Sequence, residues 1–92
     1  GESLPSDEEQ KLRAAIEETD GVASIVEFRS VYFGPEEVLV TADVAFEDTL
    51  DVETIERRIG EMVARIKERN ADIGKVYVEP DGNVEPGEVR TA

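Results

Sequence analysis

Apolar residues recur every three or four positions in two stretches of the chain, which is the spacing of a helix with one buried face. The first stretch predicts a helix over Asp7–Thr19, and the second predicts one over Val52–Arg69. Three other runs are rich in β-branched and aromatic residues, which favour strands. The strands are expected at Val22–Phe33, Val38–Phe46 and Lys75–Glu79.

The predicted order αββαβ indicates an α+β fold, with two helices on one face of a three-stranded sheet, that is, an open sandwich. A length of 92 residues suits one domain. We assign residues 6–80 to this domain and residues 1–5 to a linker. Residues 81–92 contain two glycines, one proline and few apolar residues, and they are expected to form a disordered acidic tail.

Local signals predict how the helices begin. Ser6 and Glu9 have the spacing of a capping box, in which each side chain binds the other residue's backbone amide. Asp51 is a good N-cap for the second helix. Gly60 lies inside that helix, where glycine costs about 1 kcal/mol relative to alanine, so we expect a close backbone contact there.

The segment Gly34–Glu37 predicts a tight turn that joins the first two strands into an antiparallel hairpin. We assume that Phe33 lies opposite Val38, which sorts the strand residues onto two faces. The expected helix-facing residues are Ile25, Val31, Phe33, Val38, Val40, Val44 and Phe46. The expected uncovered residues are Val26, Phe28, Ser30, Tyr32, Leu39, Thr41, Asp43 and Ala45.

The uncovered face is too apolar to lie comfortably in water, and one explanation is that it packs against a second copy of the chain. On that interpretation Phe28, Tyr32 and Leu39 form the contact of a homodimer. Scattered exposed apolar residues on a small domain are an equally good explanation. A register slip of one residue would exchange the two faces.

Composition excludes much chemistry. The chain has no histidine and no cysteine, so it cannot build disulfides, the usual catalytic triads or an ordinary structural zinc site. A net charge of −13 opposes nucleic-acid binding. Arginine outnumbers lysine by 7 to 3, and such an acidic surface suits a halophilic, high-salt cytoplasm in which charge repulsion is screened. We expect no enzymatic activity.

Several segments resemble one known family. They are Gly21-Val22, Phe28-Arg29, the Gly34-Pro35 turn, the amphipathic second helix and the closing run from Val76 to Pro80. In this order they are similar to the C-terminal cytoplasmic domain of the cation diffusion facilitators, which export metal cations. The resemblance covers about residues 6–80 and implies a metallochaperone-like (ferredoxin-like) fold and a homodimer. It also implies that residues 1–5 leave a membrane domain of the same parent chain.

The resemblance implies a function as the dimerisation and regulatory domain of a divalent cation efflux transporter, at the cytoplasmic face of the membrane. The chain begins at Gly1 without methionine, and we interpret it as a soluble fragment. A free-standing ferredoxin-like module that binds a small ligand is the alternative.

The resemblance implies three positions at which family members often carry histidine: a histidine-aspartate pair in the first strand, a histidine in the second strand and a histidine before the closing Val-Glu-Pro. In this chain they match Val26-Glu27, Asp43 and Tyr77, so all three histidines are missing. Three carboxylates remain as candidate ligands for a divalent cation: Glu27, Asp43 and Glu79. Their oxygens suit Mg²⁺, Ca²⁺ or Mn²⁺ and discriminate zinc poorly. Carboxylates of an acidic protein are more often plain surface charges, so no cofactor is firmly expected.

Overall fold

The helices and strands follow one another in the predicted order. The computed structural model describes residues 2–81, so Gly1 and the part of the predicted tail from residue 82 onward lie outside the described residues. The elements are α1 (Ser6–Glu17), β1 (Val22–Gly34), β2 (Glu37–Phe46), α2 (Val52–Arg69) and β3 (Ile73–Pro80). The α+β order αββαβ is confirmed, and every boundary falls within two residues of the predicted one.

The three strands form one sheet in the order β1-β2-β3. β1 and β2 are antiparallel, as the hairpin prediction requires, and β2 and β3 are parallel across the connecting helix α2. Both helices cover the same sheet face, because their buried residues join alternate residues of β2 in one core. This core includes Leu12, Ile16, Met62 and Ile66 from the helices and Val38, Val40, Ala42 and Val44 from β2.

The register of the hairpin differs from the predicted one. Tyr32, and not Phe33, lies opposite Val38, while Gly34 pairs with Glu37. Phe33 is therefore an extra residue, a β-bulge beside the turn, and it shifts residues 27–32 of β1 by one position, up to a second bulge at Val26. Since side chains alternate between sheet faces, this shift moves residues 27–32 to the opposite face from the one predicted, while Ile25 keeps its predicted face.

β2 has the predicted faces. In β1, Ile25 pairs with Val44 and packs against the core as predicted, but the residues between the bulges at Val26 and Phe33 lie on the opposite faces from those predicted. Phe28, Ser30 and Tyr32 pair with helix-facing residues of β2 and therefore turn toward the helices, so their expected place on the uncovered face is wrong. Val31 pairs with Leu39 and lies on the uncovered face instead. The cause is the bulge, which the alternation of apolar residues does not reveal.

The helix starts show one confirmed and one wrong prediction. Asp51 caps α2, since its carboxylate accepts a hydrogen bond of 2.9 Å from the Thr54 amide. The capping box of α1 does not form, because Pro5 occupies the N-cap position and makes no side-chain cap bond. The Glu9 carboxylate, which was expected to reach back to Ser6, accepts a hydrogen bond from elsewhere in the fold.

Two arginines of α2 hold the end of α1. Arg65 donates hydrogen bonds to the Ala15 carbonyl and to the Thr19 hydroxyl, at 3.2 and 2.9 Å. Arg69 donates to the Glu18 carboxylate at 2.7 Å. A cation at a helix C-terminus satisfies carbonyls that lack partners and opposes the helix dipole, so these contacts fix the two helices against each other.

The segment before α1, which lies in the predicted linker, contacts the sheet. Leu4 is buried, with 5% of its surface exposed, and its amide donates to the Ser30 hydroxyl at 3.0 Å. The same hydroxyl donates to the Glu9 carboxylate at 2.8 Å. The Tyr32 amide donates to the Glu2 carbonyl at 2.8 Å. We call the Leu4–Ser30–Glu9 network the clasp.

Replacing Ser30 with alanine is expected to lower the free energy of unfolding by about 1–2 kcal/mol, because the Leu4 amide loses its acceptor and the Glu9 carboxylate its donor. Ser24 is the matched control, since it is an exposed serine on the same strand. Urea denaturation of both variants measures the effect. Equal, small losses for the two serines would show that the clasp contributes little to stability.

Gly21 and Gly60 differ in how much space surrounds them and in backbone conformation. Gly21, just after α1, has φ +88°, a conformation that L residues rarely adopt. Gly60, inside α2, is exposed, and apart from its chain neighbours and the backbone of α2 itself, a Cβ there would meet no described atom within 4 Å. The close backbone contact predicted at Gly60 is therefore wrong.

Candidate functional site

The sheet face that the helices leave uncovered carries the candidate ligands; we call it the open face. Paired residues on neighbouring strands lie side by side, so the register arranges its side chains in rows across the sheet. From the turn end, the rows are Val31, Leu39 and Lys75; Arg29, Thr41 and Tyr77; and Glu27, Asp43 and Glu79.

The third row contains all three candidate ligands, and we call it the carboxylate row. Asp43 lies on the central strand, paired with Glu27 on one side and Glu79 on the other. Neighbouring strands are about 4.8 Å apart, so the two glutamates flank the aspartate. A second bulge, at Val26, gives Glu27 its pairing with Asp43. Val26 was expected to share a face with Asp43, and this expectation is wrong. Glu27 shares that face instead.

An arginine lies against this row. The Arg29 guanidinium donates to one Glu27 carboxylate oxygen through Nε at 2.9 Å and through Nη2 at 2.6 Å. Glu27, mainly by this hydrogen bond, and the more distant charge of Asp43 raise the pKa of Arg29 above its ordinary value. Both side chains are largely exposed, so the pair contributes little to folding stability.

The arrangement does not fit a transition-metal site. Within residues 2–81, no three Asp, Glu, His or Cys side chains are grouped so that they could hold a metal ion. The row offers only hard carboxylate oxygens, and one of these oxygens already accepts both hydrogen bonds from Arg29. The role of Glu27, Asp43 and Glu79 as cation ligands stays a prediction, for which proximity is the favourable observation and Arg29 the unfavourable one.

The three residues expected at a dimer contact do not share one surface. Phe28 is in the core with 8% of its surface exposed, and the Arg13 guanidinium lies 5.0 Å from its ring centroid. Tyr32 is half-buried and packs against the same core. Leu39 alone lies on the open face, half-buried beside Val31. Their common placement was wrong, and Leu39 is the member that stays available to a second copy.

Sequence reasoning missed two features of the open face. Arg29 follows Glu27 by two positions, and such a spacing on a strand places both side chains on one face, so this pair had a readable signal. Tyr77 is 56% exposed on the open face. Its exposure depends on the parallel pairing of β3 with β2, which is a tertiary contact that the local sequence does not specify.

The fold and the open face together define a class: a metallochaperone-like α+β domain with two helices on one sheet face and a charged second face. No protein-family model and no curated protein matches the sequence. Among solved structures, MamM CTD variants in a cadmium form and in a copper form each superpose with a TM-score of 0.78 at 15% identity. Each covers 88% of this chain and 100% of its own.

A MamM CTD variant in a manganese form gives the same picture, with a TM-score of 0.76, 16% identity and coverage of 87% of this chain and 100% of its own. These structural neighbours confirm the fold implied by the resemblance to cation diffusion facilitator C-terminal domains. At such identities the likeness concerns the fold alone. In residues 2–81, neither helix has the length and apolarity needed to cross a membrane.

Proposed function

We propose that this chain is the cytoplasmic dimerisation and regulatory domain of a divalent cation efflux transporter and is itself non-catalytic. The observation that carries the proposal is the superposition of 88% of the chain on the whole of a MamM CTD. The uncovered sheet face adds to it, since a face with Val31 and Leu39 half-buried at one end offers apolar area to a second copy.

The proposed mechanism is mechanical and electrostatic. In this proposal the domain links two transporter protomers at the cytoplasmic face of the membrane, each attached to the membrane domain of its own chain. A net charge of −13 on each copy opposes their approach. Screening by salt, or neutralisation by cations, therefore favours the closed pair. Closure of the pair would then be the step that responds to conditions in the cytoplasm.

The clasp would provide a physical connection between this domain and the membrane domain of the same chain. Residues 2–5 are fixed to the sheet edge through Leu4 and through the Glu2 carbonyl. A displacement of the sheet is therefore passed to the preceding chain without slack from these residues. In a transporter, this is the direction in which a change at the dimer would reach the membrane.

Solution mass by light scattering tests the proposal. In molar salt with EDTA we expect a dimer, and Leu39→Asp is expected to convert it to a monomer because a charge would be buried at the contact. Val52→Asp is the matched control, since Val52 is 69% exposed and lies on α2, away from the open face. The same samples are then measured with Mn²⁺ or Zn²⁺.

The open face is supported as the contact if the solution mass of Leu39→Asp is half that of the wild type while Val52→Asp keeps the mass of a dimer. A wild-type monomer under every salt and metal condition would contradict dimerisation and favour the ligand-binding alternative. A dimer that needs the added metal would show that a cation joins the two copies.

A further inference from the structure

We propose that Arg29 is the built-in counter-ion of the carboxylate row, and that it takes the place of a bound divalent cation on the open face. The metals of the structural neighbours, cadmium, copper and manganese, make a cation the natural expectation for this fold. Here the residues offer a guanidinium instead. Only the consequence for dimer closure rests on the proposed function; the cation chemistry of the face stands independently of it.

The geometry of the pair carries the proposal. Arg29 and Glu27 belong to adjacent rows of one strand face, and two nitrogens of the guanidinium bind the same carboxylate oxygen, at 2.9 and 2.6 Å. Asp43 lies beside Glu27 on the neighbouring strand. The positive charge is therefore bound to Glu27 and acts on Asp43 from a greater distance, so it bears on the two carboxylates that a divalent cation would need first.

The chemistry of arginine makes the positive charge at this position permanent. A guanidinium stays protonated at any physiological pH, and it donates in a fixed planar geometry that matches a carboxylate. A divalent cation that binds Glu27 and Asp43 must either displace Arg29 or tolerate its charge a few ångströms away. Coulomb repulsion at that distance, partly screened by water, weakens cation binding by about ten-fold or more.

The number of ligands points the same way. With Glu27 engaged, Asp43 and Glu79 remain, and two carboxylates without a nearby third ligand make a poor site for Mn²⁺ or Ca²⁺, which take six or more oxygens. Removing the arginine would free the whole row. The open face then has three carboxylates in one line across the sheet, with no guanidinium bound to them.

The test is the affinity of the complete 92-residue chain for Mn²⁺, measured by the loss of the free-ion EPR signal in low salt. Arg29→Gln is expected to bind Mn²⁺ at least about ten-fold more tightly than the wild type. Arg57→Gln is the matched control, because it removes the same unit of charge from the exposed side of α2. The double variant Arg29→Gln/Asp43→Asn is expected to lose the gain.

The outcomes separate cleanly. A gain confined to Arg29→Gln and abolished by Asp43→Asn supports the inference. Equal gains in Arg29→Gln and Arg57→Gln would overturn it, since the effect would then be one of net charge. No gain in Arg29→Gln would also overturn it, whether or not the wild type binds Mn²⁺. The oligomeric state, measured separately, decides the proposed function, so failure of one does not imply failure of the other.

Discussion

Replacing Phe28 with alanine is expected to lower the free energy of unfolding of the single chain by about 3–4 kcal/mol. Deleting a buried aromatic side chain removes its transfer free energy and leaves a cavity between sheet and helices. Phe28 is 8% exposed, it belongs to the core, and it also supports the Arg13 guanidinium stacked on its ring. Urea denaturation followed by circular dichroism measures the change.

Leu39→Ala is the matched comparison, because Leu39 is also apolar and lies in the same hairpin on the opposite face. Its loss is expected to cost less than about 1 kcal/mol in the monomer, since the side chain is only half-buried. The measurement is repeated at several protein concentrations, because a dimer makes the midpoint concentration-dependent. If Phe28→Ala keeps the monomer's stability and only dissociates a dimer, the core placement of Phe28 is contradicted.

The fate of Phe28 shows where sequence patterns stop being informative. In β2 the alternation runs without interruption from Val38 to Phe46, so its two faces were predicted correctly. In β1 the alternation is broken by bulges at Phe33, Val26 and Ala23, and each bulge adds one residue that no pairing partner opposes. A bulge is fixed by the partner strand, so the pattern of a single strand cannot place it.

The helix starts also show that a local sequence signal fails where a distant residue competes for the same side chain. The cap of α2 needs only Asp51 and an amide three residues away, and this local signal was correct. The capping box of α1 was equally good as a local signal, but Glu9 binds Ser30, which is 21 residues away. A buried hydroxyl that needs an acceptor outweighs an exposed cap, because leaving it without a partner costs more free energy.

The carboxylates of the candidate site could be predicted from the sequence, whereas the role of Arg29 beside them was missed. The family resemblance selected Glu27, Asp43 and Glu79, and the structure puts them in one row. The resemblance did not supply Arg29, although its spacing of two from Glu27 places both side chains on one strand face. The bulge at Val26 decides only that this face is the one that carries Asp43. The same carboxylates therefore have two interpretations, as cation ligands and as partners of an arginine, and only measured affinity distinguishes them.

Gly21→Ala and Gly60→Ala are expected to change stability in opposite directions. At Gly21 a Cβ would lie 2.5 Å from Leu50 Cδ1, and the positive φ is unfavourable for alanine by about 1–2 kcal/mol before any clash is counted. The total loss is expected to reach about 2–3 kcal/mol, or a Tm lower by roughly 10 °C or more for a domain of this size.

At Gly60 the same substitution adds a methyl group in open space on a helix, where alanine is favoured over glycine by about 1 kcal/mol. Its Tm should therefore rise by a few degrees in a scanning calorimeter, under the conditions used for Gly21→Ala. A Tm that falls in Gly60→Ala would mean that the exposed glycine meets a partner, such as a second copy, that the single chain does not contain. A rise at Gly60 and a fall at Gly21 would show that glycine is needed at Gly21 because of its positive φ and its closeness to Leu50, and that glycine content as such does not set the stability.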